Sequence, residues 1–396
     1  MLKIQKKDGS IEAFSSQKIV SAIRKSANRA MYDLSDEQCL RVVDLTLAHL
    51  AEHGGDVAPV ANVHNAVERA LDDVAPDVAK CYRDYRNYKQ DFVHMLDDVY
   101  RKSQAIRYIG DRNNANTDSA LVPTQRSLIY NELSSALYKK FFLNREEREA
   151  MKDGYIYIHD RSARLDTMNC CLFDMANVLT GGFEMGNVWY NEPKTLDVAF
   201  DVISDVAISA AACQYGGFTI PEVDKILAPY AEKSYQKYFE EYTEIAVYNN
   251  LGDHEDVLTA ADEYAVKKVQ RDMEQGFQSW EYRFNTVGSS RGDYPFIAVS
   301  FGLDNSRFGR MASMTCMNVR AGGQGSAGHK KPVLFPKLTF LYDEELHGEG
   351  KPMEDVFECG VDCSTKAMYP DFLSLTGEGY IPSMYKKYGR VVSLMG

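Results

Sequence analysis

The sequence has no long hydrophobic run, no C-x-x-C pair and little tryptophan, with 2 tryptophans in 396 residues. Because a membrane-spanning helix needs roughly 18 or more apolar residues in a row, none is expected. The 8 cysteines are scattered, which argues against a disulfide scaffold and against a zinc ribbon within this chain. The opening residues, MLKIQKKDG, lack the apolar stretch of a secretion signal, and we expect a cytoplasmic protein.

An excess of acidic residues gives the chain a formal net charge of −12. An acidic surface repels nucleic acid and anionic membranes, so neither is an expected partner. With 396 residues the chain is too long for one ordinary core, and two domains are expected. A phosphate ligand would require a local cluster of lysine and arginine.

The first hundred residues predict a compact module of one hairpin and four helices. Two short alternating segments flank Asp8 and Gly9, which is a strong hairpin signal. Ser15 or Ser16 can then cap the first helix. The other helices are predicted at 36–52, at 60–73 and after Pro76.

The region after residue 120 mixes helices and strands and predicts an α/β domain. It follows the polar stretch 110–120, which we interpret as a linker. The run YIYI at 155–158 alternates like a strand, and the loop RAGGQGSAGHKK at 320–331 separates two strand candidates. Helices are predicted at 123–142, 195–213, 222–248 and 255–285, and strands at 295–303 and 333–344.

Lysines concentrate at the amino-terminal hairpin of this acidic chain. Lys3, Lys6 and Lys7 lie on the hairpin, and Lys18 lies on the next helix. Together they could bind a triphosphate through point charges, or they could be solvated surface lysines. Charge alone leaves both interpretations open.

A longer pattern, K-K-D-G-x-x-E-x-F-x-x-x-K-I-x-x-A-I from Lys6 to Ile23, favours the first interpretation. It resembles the ATP-cone, the regulatory nucleotide-binding module of many ribonucleotide reductases, over about residues 2–95. By this resemblance His64 on the third helix lines the nucleotide pocket, although a core-edge histidine is the alternative. The resemblance implies that bound ATP or dATP lies near Lys6, Lys7, Glu12 and Lys18, with Arg86 and Lys89 as weaker candidates.

Two adjacent cysteines, Cys170 and Cys171, admit four interpretations. Adjacent cysteines rarely form a disulfide, because the small ring strains the peptide between them. Alone they cannot complete a metal tetrahedron. A thiol can instead donate a hydrogen atom in radical chemistry, or both residues can fill a core. Their spacing alone favours core packing.

Several short motifs occur in order through the second region. They are PTQR (123–126), IHD (158–160), NCC (169–171), QYGG (214–217), P-x-V-D-K around Asp224 and Lys225, LFPKL (334–338) and MYPD (368–371). This series resembles the anaerobic, class III ribonucleoside-triphosphate reductases, which are glycyl radical enzymes. The fold implied is α/β, a ten-stranded barrel of the glycyl radical type that is incomplete in this chain.

The same resemblance implies roles for the residues around the cysteines. Cys170 would donate a hydrogen atom to the 2′ side of a ribose after a thiyl radical elsewhere has removed the 3′ hydrogen. Cys171 would then be a packing residue, and Asn169 and His159 would shape the ribose pocket. The second aspartate that often follows H-D in the family is replaced here by Arg161 or Ser162.

The glycine-rich loop fails as a P-loop, because His329 stands where a lysine is needed. We interpret the loop as a flap that closes over substrate phosphates with His329, Lys330 and Lys331, and a plain flexible loop is the alternative.

The two long helices near residues 200 and 235 also have a family interpretation. In class III enzymes, helices at this place pair across a dimer and bind the dNTP that selects the substrate. Lys237 matches a phosphate-contacting position, and Asp205 is a weaker candidate. The alternative is that Lys237 is one of several solvated lysines.

The end of the sequence departs from the family pattern. The chain stops at VVSLMG, so we expect the thiyl-radical cysteine, the radical-bearing glycine and a four-cysteine zinc site beyond Gly396. The segment GEGYIPS (377–383) is interpreted as a turn. A single E-x-x-H, EELH (344–347), is too little for a di-iron site and is expected to be a solvated helix end.

Together these features predict an ATP-cone at 1–95, a linker at 96–120 and the front part of a catalytic barrel at 121–396. The predicted function is oxygen-independent reduction of ribonucleoside triphosphates, permitted by ATP and suppressed by dATP, although this fragment alone should have no turnover. A radical-SAM activating enzyme is the implied partner of a homodimer or higher oligomer, and formate is the expected reductant, with a thioredoxin-type donor left open. The alternative is a nucleotide-sensing regulator whose barrel is not catalytic.

Overall fold

Contacts divide the protein into two compact units, Met1–Arg101 and Lys102–Gly396. The predicted domain boundaries, at 1–95, 96–120 and 121–396, remain predictions. None of the helices described is both long and apolar enough to cross a membrane. The computed structural model describes residues 2–52, 55–108, 120–164, 168–286 and 292–389.

The first unit opens with a small sheet in the order β2-β1-β3. Strands β1 (Lys3–Gln5) and β2 (Ile11–Ala13) form the predicted antiparallel hairpin, and Gly9 adopts a φ of +83° in its turn. Strand β3 (Val57–Pro59) pairs parallel to β1. The pattern did not predict β3, because three residues are too few to show a periodicity.

The predicted helices of the first unit are confirmed. Helix α2 starts with a capping box, in which the Ser35 side chain accepts the N–H of Gln38 and the Gln38 side chain accepts the N–H of Ser35. The apolar faces of the helices meet in one core that includes Ile23, Val42 and Leu71. The helices are α1 (Ser16–Arg29), α2 (Asp36–Ala51), α3 (Val60–Val74) and α4 (Pro76–Tyr108).

Helix α4 extends farther than the pattern predicted. It continues to Tyr108, so the first part of the segment predicted as a linker is helical. Residues 109–119, which hold most of the polar stretch, lie outside the described residues.

The second unit is built on a parallel sheet that, within the described residues, has five strands in the order β10-β9-β8-β7-β4. The central strand β8 (Ile297–Phe301) is buried along its whole length, as expected for a parallel strand covered on both faces. A separate antiparallel hairpin joins β5 (Phe183–Met185) to β6 (Val188–Tyr190). The other strands are β4 (Cys171–Leu172), β7 (Phe218–Ile220), β9 (Lys337–Tyr342) and β10 (Asp371–Ser374).

Long helices pack around this sheet and bury Trp280, Phe200 and Phe277 in one aromatic cluster. A Cβ at Gly276 would lie 2.2 Å from the Phe200 ring, so a glycine is required where the two helices meet. The helices are α5 (Val122–Phe141), α6 (Arg145–Lys152), α7 (Met175–Leu179), α8 (Leu196–Ala212), α9 (Val223–Tyr248), α10 (His254–Phe284), α11 (Arg307–Gly322), α12 (Glu344–His347), α13 (Glu354–Ala367) and α14 (Tyr380–Tyr388).

The α/β class and the long helices agree with the predictions, but three local predictions are wrong. Residues 155–158 form no strand, and Tyr155 and Tyr157 are 84% and 82% exposed, because no neighbouring strand pairs with them in the described chain. In the segment predicted as a turn at 377–383, residues 377–379 do form a bend, but the chain from Tyr380 onward belongs to helix α14. The described strands form an open sheet, so the ten-stranded barrel stays an expectation.

The third wrong prediction concerns the histidine of the E-x-x-H motif, which was expected at a solvated helix end. His347 is 2% exposed rather than solvated, and it packs against the rings of Phe340 and Tyr342. Its Nδ1 lies 3.0 Å from both the backbone nitrogen and the carbonyl oxygen of Asp343. Burial lowers the pKa of His347, so the histidine is a neutral core residue.

Candidate functional site

Two lysines of the first unit bind the carboxylate of Glu12 on β2. Its carboxylate accepts hydrogen bonds from Lys18 Nζ at 2.9 and 2.8 Å, and Lys6 Nζ lies 3.0 Å away. The bond from Lys18, and then the bond from Lys6, hold the pKa of Glu12 below its usual value. The structure therefore brings three of the predicted nucleotide-binding residues together.

His64 on α3 lies among further cations. Its Nδ1 is 2.7 Å from the hydroxyl oxygen of Tyr82 on α4. Burial lowers the pKa of His64, and the charges of Arg86, Lys7 and Lys89 lower it further. Cations from the hairpin and from α4 therefore act on one half-buried histidine, which is the arrangement that a polyphosphate would neutralise. Sequence reasoning missed Tyr82, since nothing in a helical pattern marks it as the partner of His64.

The thiol of Cys170 lies where the paired strands β4 and β7 begin. The N–H of Gly217 donates to Cys170 Sγ at 3.3 Å, and the N–H of Cys171 donates to the carbonyl of Gly217 at 3.0 Å. Cys170 is exposed, whereas Cys171 is half-buried. Core packing is therefore wrong as an interpretation of Cys170, because the backbone holds this thiol at the surface.

Gly216 makes this arrangement possible. A Cβ at this position would lie 2.5 Å from Cys170 Sγ and 2.6 Å from Asn169 Oδ1, distances that real Cβ atoms do not adopt. The N–H of Gly216 donates to the carbonyl of Asn169. The QYGG and NCC motifs thus form one structural feature, a relation that their separation in the sequence hides.

A chain of polar groups leads away from the thiol. Asn169 Oδ1 lies 3.8 Å from Cys170 Sγ, and Asn169 Nδ2 donates to Asp160 Oδ2 at 3.2 Å. The same carboxylate oxygen lies 2.5 Å from Nδ1 of His159, whose side chain is 73% exposed. Asp160 adopts a φ of +51°, uncommon for a residue other than glycine. We call His159, Asp160, Asn169 and Cys170 the thiol site.

Cys171 faces the interior instead. Its thiol donates to Oε1 of the buried Gln214 at 3.0 Å, and the residue packs on the main core. Burial, and then the neighbouring Cys170, raise the pKa of Cys171. The two adjacent cysteines therefore have different surroundings, which the sequence alone could not distinguish.

The glycine-rich loop is closed by backbone pairing. Gln324 and Lys331 exchange N–H to carbonyl bonds of 2.8 and 2.9 Å, and the N–H of His329 donates to the carbonyl of Ser326 at 2.9 Å. We call residues 324–331 the flap. The side chains of His329 and Lys330 are exposed, and among the described residues no hydrogen bond or ion pair joins the flap to the thiol site.

The predicted effector residues lie on separate helices. Lys237 on α9 is 3.9 Å from Glu241, and Asp205 on α8 is 3.7 Å from Arg283 on α10. Within the described part of the chain, no ion pair joins Lys237 to Asp205. The prediction expects these two residues to bind a dNTP where helices pair across a subunit dimer.

Two family models cover most of the chain. The model described as ATP cone domain matches residues 2–91, so the first unit is an ATP cone, a module of allosteric regulation. The model described as anaerobic ribonucleoside-triphosphate reductase matches residues 113–396. The chain belongs to this family.

Curated relatives carry the same name. The anaerobic ribonucleoside-triphosphate reductases of Haemophilus influenzae and Escherichia coli are each 30% identical to this chain, over 379 and 381 residues. These matches cover 93% and 94% of this chain and 51% of each relative. The chain therefore spans about half the length of these relatives. The enzyme of phage T4 is 33% identical over 267 residues, 66% of this chain and 41% of that protein.

Solved structures give a more distant likeness. The anaerobic ribonucleotide reductase of Thermotoga maritima, solved in complex with dATP and CTP, matches with a TM-score of 0.43 and 13% identity. The match covers 73% of this chain and 49% of that one.

Proposed function

We propose that the protein serves in the anaerobic reduction of ribonucleoside triphosphates to 2′-deoxyribonucleoside triphosphates, with Cys170 as a hydrogen donor. The observation that carries the proposal is the exposed thiol, held by the N–H of Gly217 beside a polar chain through Asn169 and Asp160 to His159. Membership of the reductase family over residues 113–396 supports the same reaction.

Each residue of the thiol site has a separate task in this proposal. Cys170 gives the hydrogen atom of its thiol to the 2′ carbon of the ribose, which has lost its hydroxyl as water, and the proposed reductant, formate, returns a hydrogen atom to the sulfur. His159 and Asn169 orient the sugar hydroxyls by hydrogen bonding, and Asp160 positions both of them because its carboxylate contacts both.

The radical chemistry of the proposal also needs a glycyl radical, a thiyl cysteine and a zinc site, as the resemblance to the family implies. The glycyl radical would supply the unpaired electron that starts the reaction. No group of three or more His, Cys, Asp or Glu residues that could hold a metal ion occurs among the described residues. A radical-SAM activating enzyme is the proposed partner, and formate is the proposed reductant.

Nucleotides are also the proposed regulators. ATP permits and dATP suppresses activity by binding near Lys6, Lys7, Glu12, Lys18 and His64, which we call the cone site. A dNTP binds at Lys237 and Asp205 in a homodimer or higher oligomer and selects the substrate. We place the cone at 1–95, a linker at 96–120 and the front of the catalytic barrel at 121–396, in a cytoplasmic protein.

The flap is the proposed clamp for the substrate phosphates. Its His329 and Lys330 are exposed, and neither makes an ion pair within the described residues. A non-catalytic nucleotide-sensing regulator is not favoured, because the second unit matches a reductase family along nearly its whole length.

Alkylation of cysteines tests the proposal. Cys170 and Cys213 are both exposed, so iodoacetamide should label both in the full chain, and mass spectrometry measures each rate. We expect CTP to slow labelling of Cys170 and to leave Cys213 unchanged, with the protection weakened in His159→Ala. Equal labelling of Cys170 with and without CTP would count against a ribonucleotide at this thiol.

A further inference from the structure

The last turn of α10 binds both ends of the segment that contains the flap. At one end, the Gln324 side-chain amide donates to Glu281 Oε2. At the other end, Asn285 Nδ2 donates to the carbonyl of Phe335 at 2.6 Å, and the N–H of Phe335 donates to Asn285 Oδ1 at 3.0 Å. Glu281 and Asn285 are about one helical turn apart, so they lie on the same face of the helix. Residues at the end of one helix therefore bind the chain on both sides of the flap.

A buried ion pair holds Glu281 in place. Its Oε1 is 2.7 Å from Nε of Arg320 on α11, and the two side chains are 4% and 1% exposed. Arg320 Nη2 also donates to the carbonyl of Pro336 at 2.7 Å. Because a buried charge without its partner is strongly unfavourable, this pair leaves Glu281 little freedom. One carboxylate oxygen binds Arg320, and the other is left for Gln324.

The backbone pairing of the flap starts at the residue that Glu281 binds. Gln324 is the first residue of the flap, and its N–H and carbonyl pair with Lys331. The amide of Gln278, one turn earlier on α10, donates to Gln324 Oε1 at 3.3 Å. The side chain of Gln324 is thus bound at both of its polar atoms, whereas the exposed His329 and Lys330 at the far end make no such contact.

We propose that Glu281 is a positioning residue that sets the orientation of the flap through Gln324 and so places His329 and Lys330 for the phosphates of a nucleoside triphosphate. This inference rests on the proposed function of the flap. It adds a residue that touches no substrate and lies 43 positions away from Gln324 in the sequence.

We call the hydrogen bond from the Gln324 amide to Glu281 the anchor. Hydrogen exchange of the full chain tests the anchor without any nucleotide. In Gln324→Met the anchor bond is lost while the Glu281–Arg320 pair stays intact. Since a hydrogen bond to a charged group is lost, we expect amide exchange in residues 324–331 to rise roughly tenfold. Gln236→Met is the matched control, because the amide of Gln236 also donates to a glutamate, Glu232, but on helix α9 rather than at the flap. Unchanged flap exchange in Gln324→Met would overturn the proposal.

A second variant tests Glu281 itself. Glu281→Gln leaves Arg320 buried without a counter-charge and can fail to fold, so the double variant Glu281→Met with Arg320→Met is used, which replaces the pair by apolar side chains. We expect this protein to fold, as judged by circular dichroism, and to show the same rise in flap exchange. A flap as protected as in the unaltered chain would contradict the role of Glu281.

Binding of CTP then separates the anchor from the proposed function. We expect CTP affinity, measured by calorimetry, to fall roughly tenfold in Gln324→Met while the affinity of the cone for dATP stays the same. Faster flap exchange with unchanged CTP affinity would overturn the positioning role. If CTP fails to bind even the unaltered chain, the proposed function fails, and the exchange data still decide the anchor.

Discussion

The cone site and the thiol site, one in each unit, are built from opposite charges. The cone site collects positive groups around a half-buried histidine, and its carboxylate Glu12 already binds two lysines. The thiol site centres on one carboxylate, Asp160, which binds an amide and an imidazole. The comparison teaches that the first arrangement suits the phosphates of a nucleotide and the second suits the hydroxyls of a sugar.

The largest effect is expected from crowding the thiol site. Gly216→Ala places a Cβ 2.5 Å from Cys170 Sγ, so the strands must shift and the free energy of unfolding of the second unit should fall by about 1 to 3 kcal/mol. Urea unfolding measures this change. Gly322→Ala is the control, because its Cβ meets nothing within 4 Å, and its effect should stay below about 1 kcal/mol. Equal effects would show that the close approach is not required.

Charge removal in the cone site should have the next largest effect. Lys7→Ala removes a cation that acts on His64, and we expect dATP affinity to fall roughly tenfold in calorimetry. Lys3→Ala removes a lysine from the same hairpin whose charge is not among the causes of the lowered pKa of His64. Similar losses in both variants would mean that general charge, rather than a site, attracts the nucleotide.

Acid should weaken the cone. The pKa of His64 is lower in the folded protein than in the unfolded chain, so the unfolded chain binds more protons below about pH 6.5. The contribution of His64 to the stability of the cone is therefore fully present above that pH and is lost as the pH decreases below it. His64→Gln should flatten part of this dependence in thermal unfolding scans between pH 5 and pH 8 while keeping a hydrogen-bonding side chain near Tyr82. If the pH dependence of thermal stability in His64→Gln were identical to that of the unaltered chain, its assignment to His64 would be contradicted.

The smallest effect on stability is expected at Lys237. Its contact with Glu241 spans 3.9 Å at an exposed helix surface, so Lys237→Ala should change the free energy of unfolding by less than about 0.5 kcal/mol. If Lys237 contacts an effector phosphate, dNTP binding outside the cone should nevertheless weaken in the same variant. Unchanged dNTP binding would leave Lys237 as a solvated lysine.

Much of the local structure was predictable from the sequence. The Asp8-Gly9 turn and the apolar periodicity of the helices identified the first unit, and the boundaries of α8 and α9 were close to those predicted. The run at 155–158 misled, because an alternating pattern indicates a strand only where a neighbouring strand can pair with it. The motifs marked Cys170 as a candidate and included Gly216 in QYGG, but they did not show that the two residues lie against each other.

Each periodic segment, turn and short motif lies within a few neighbouring residues. Together with the order of the motifs along the chain, they determined the α/β class, the ATP cone and the family. The tertiary structure alone decided that Cys170 is exposed while Cys171 is half-buried, that Gly216 makes room for the thiol, and that Glu281 and Arg320 form a buried pair. The reason is that burial and hydrogen bonding of a single side chain depend on residues far away in the chain, 39 positions apart for Glu281 and Arg320, and no local pattern encodes them.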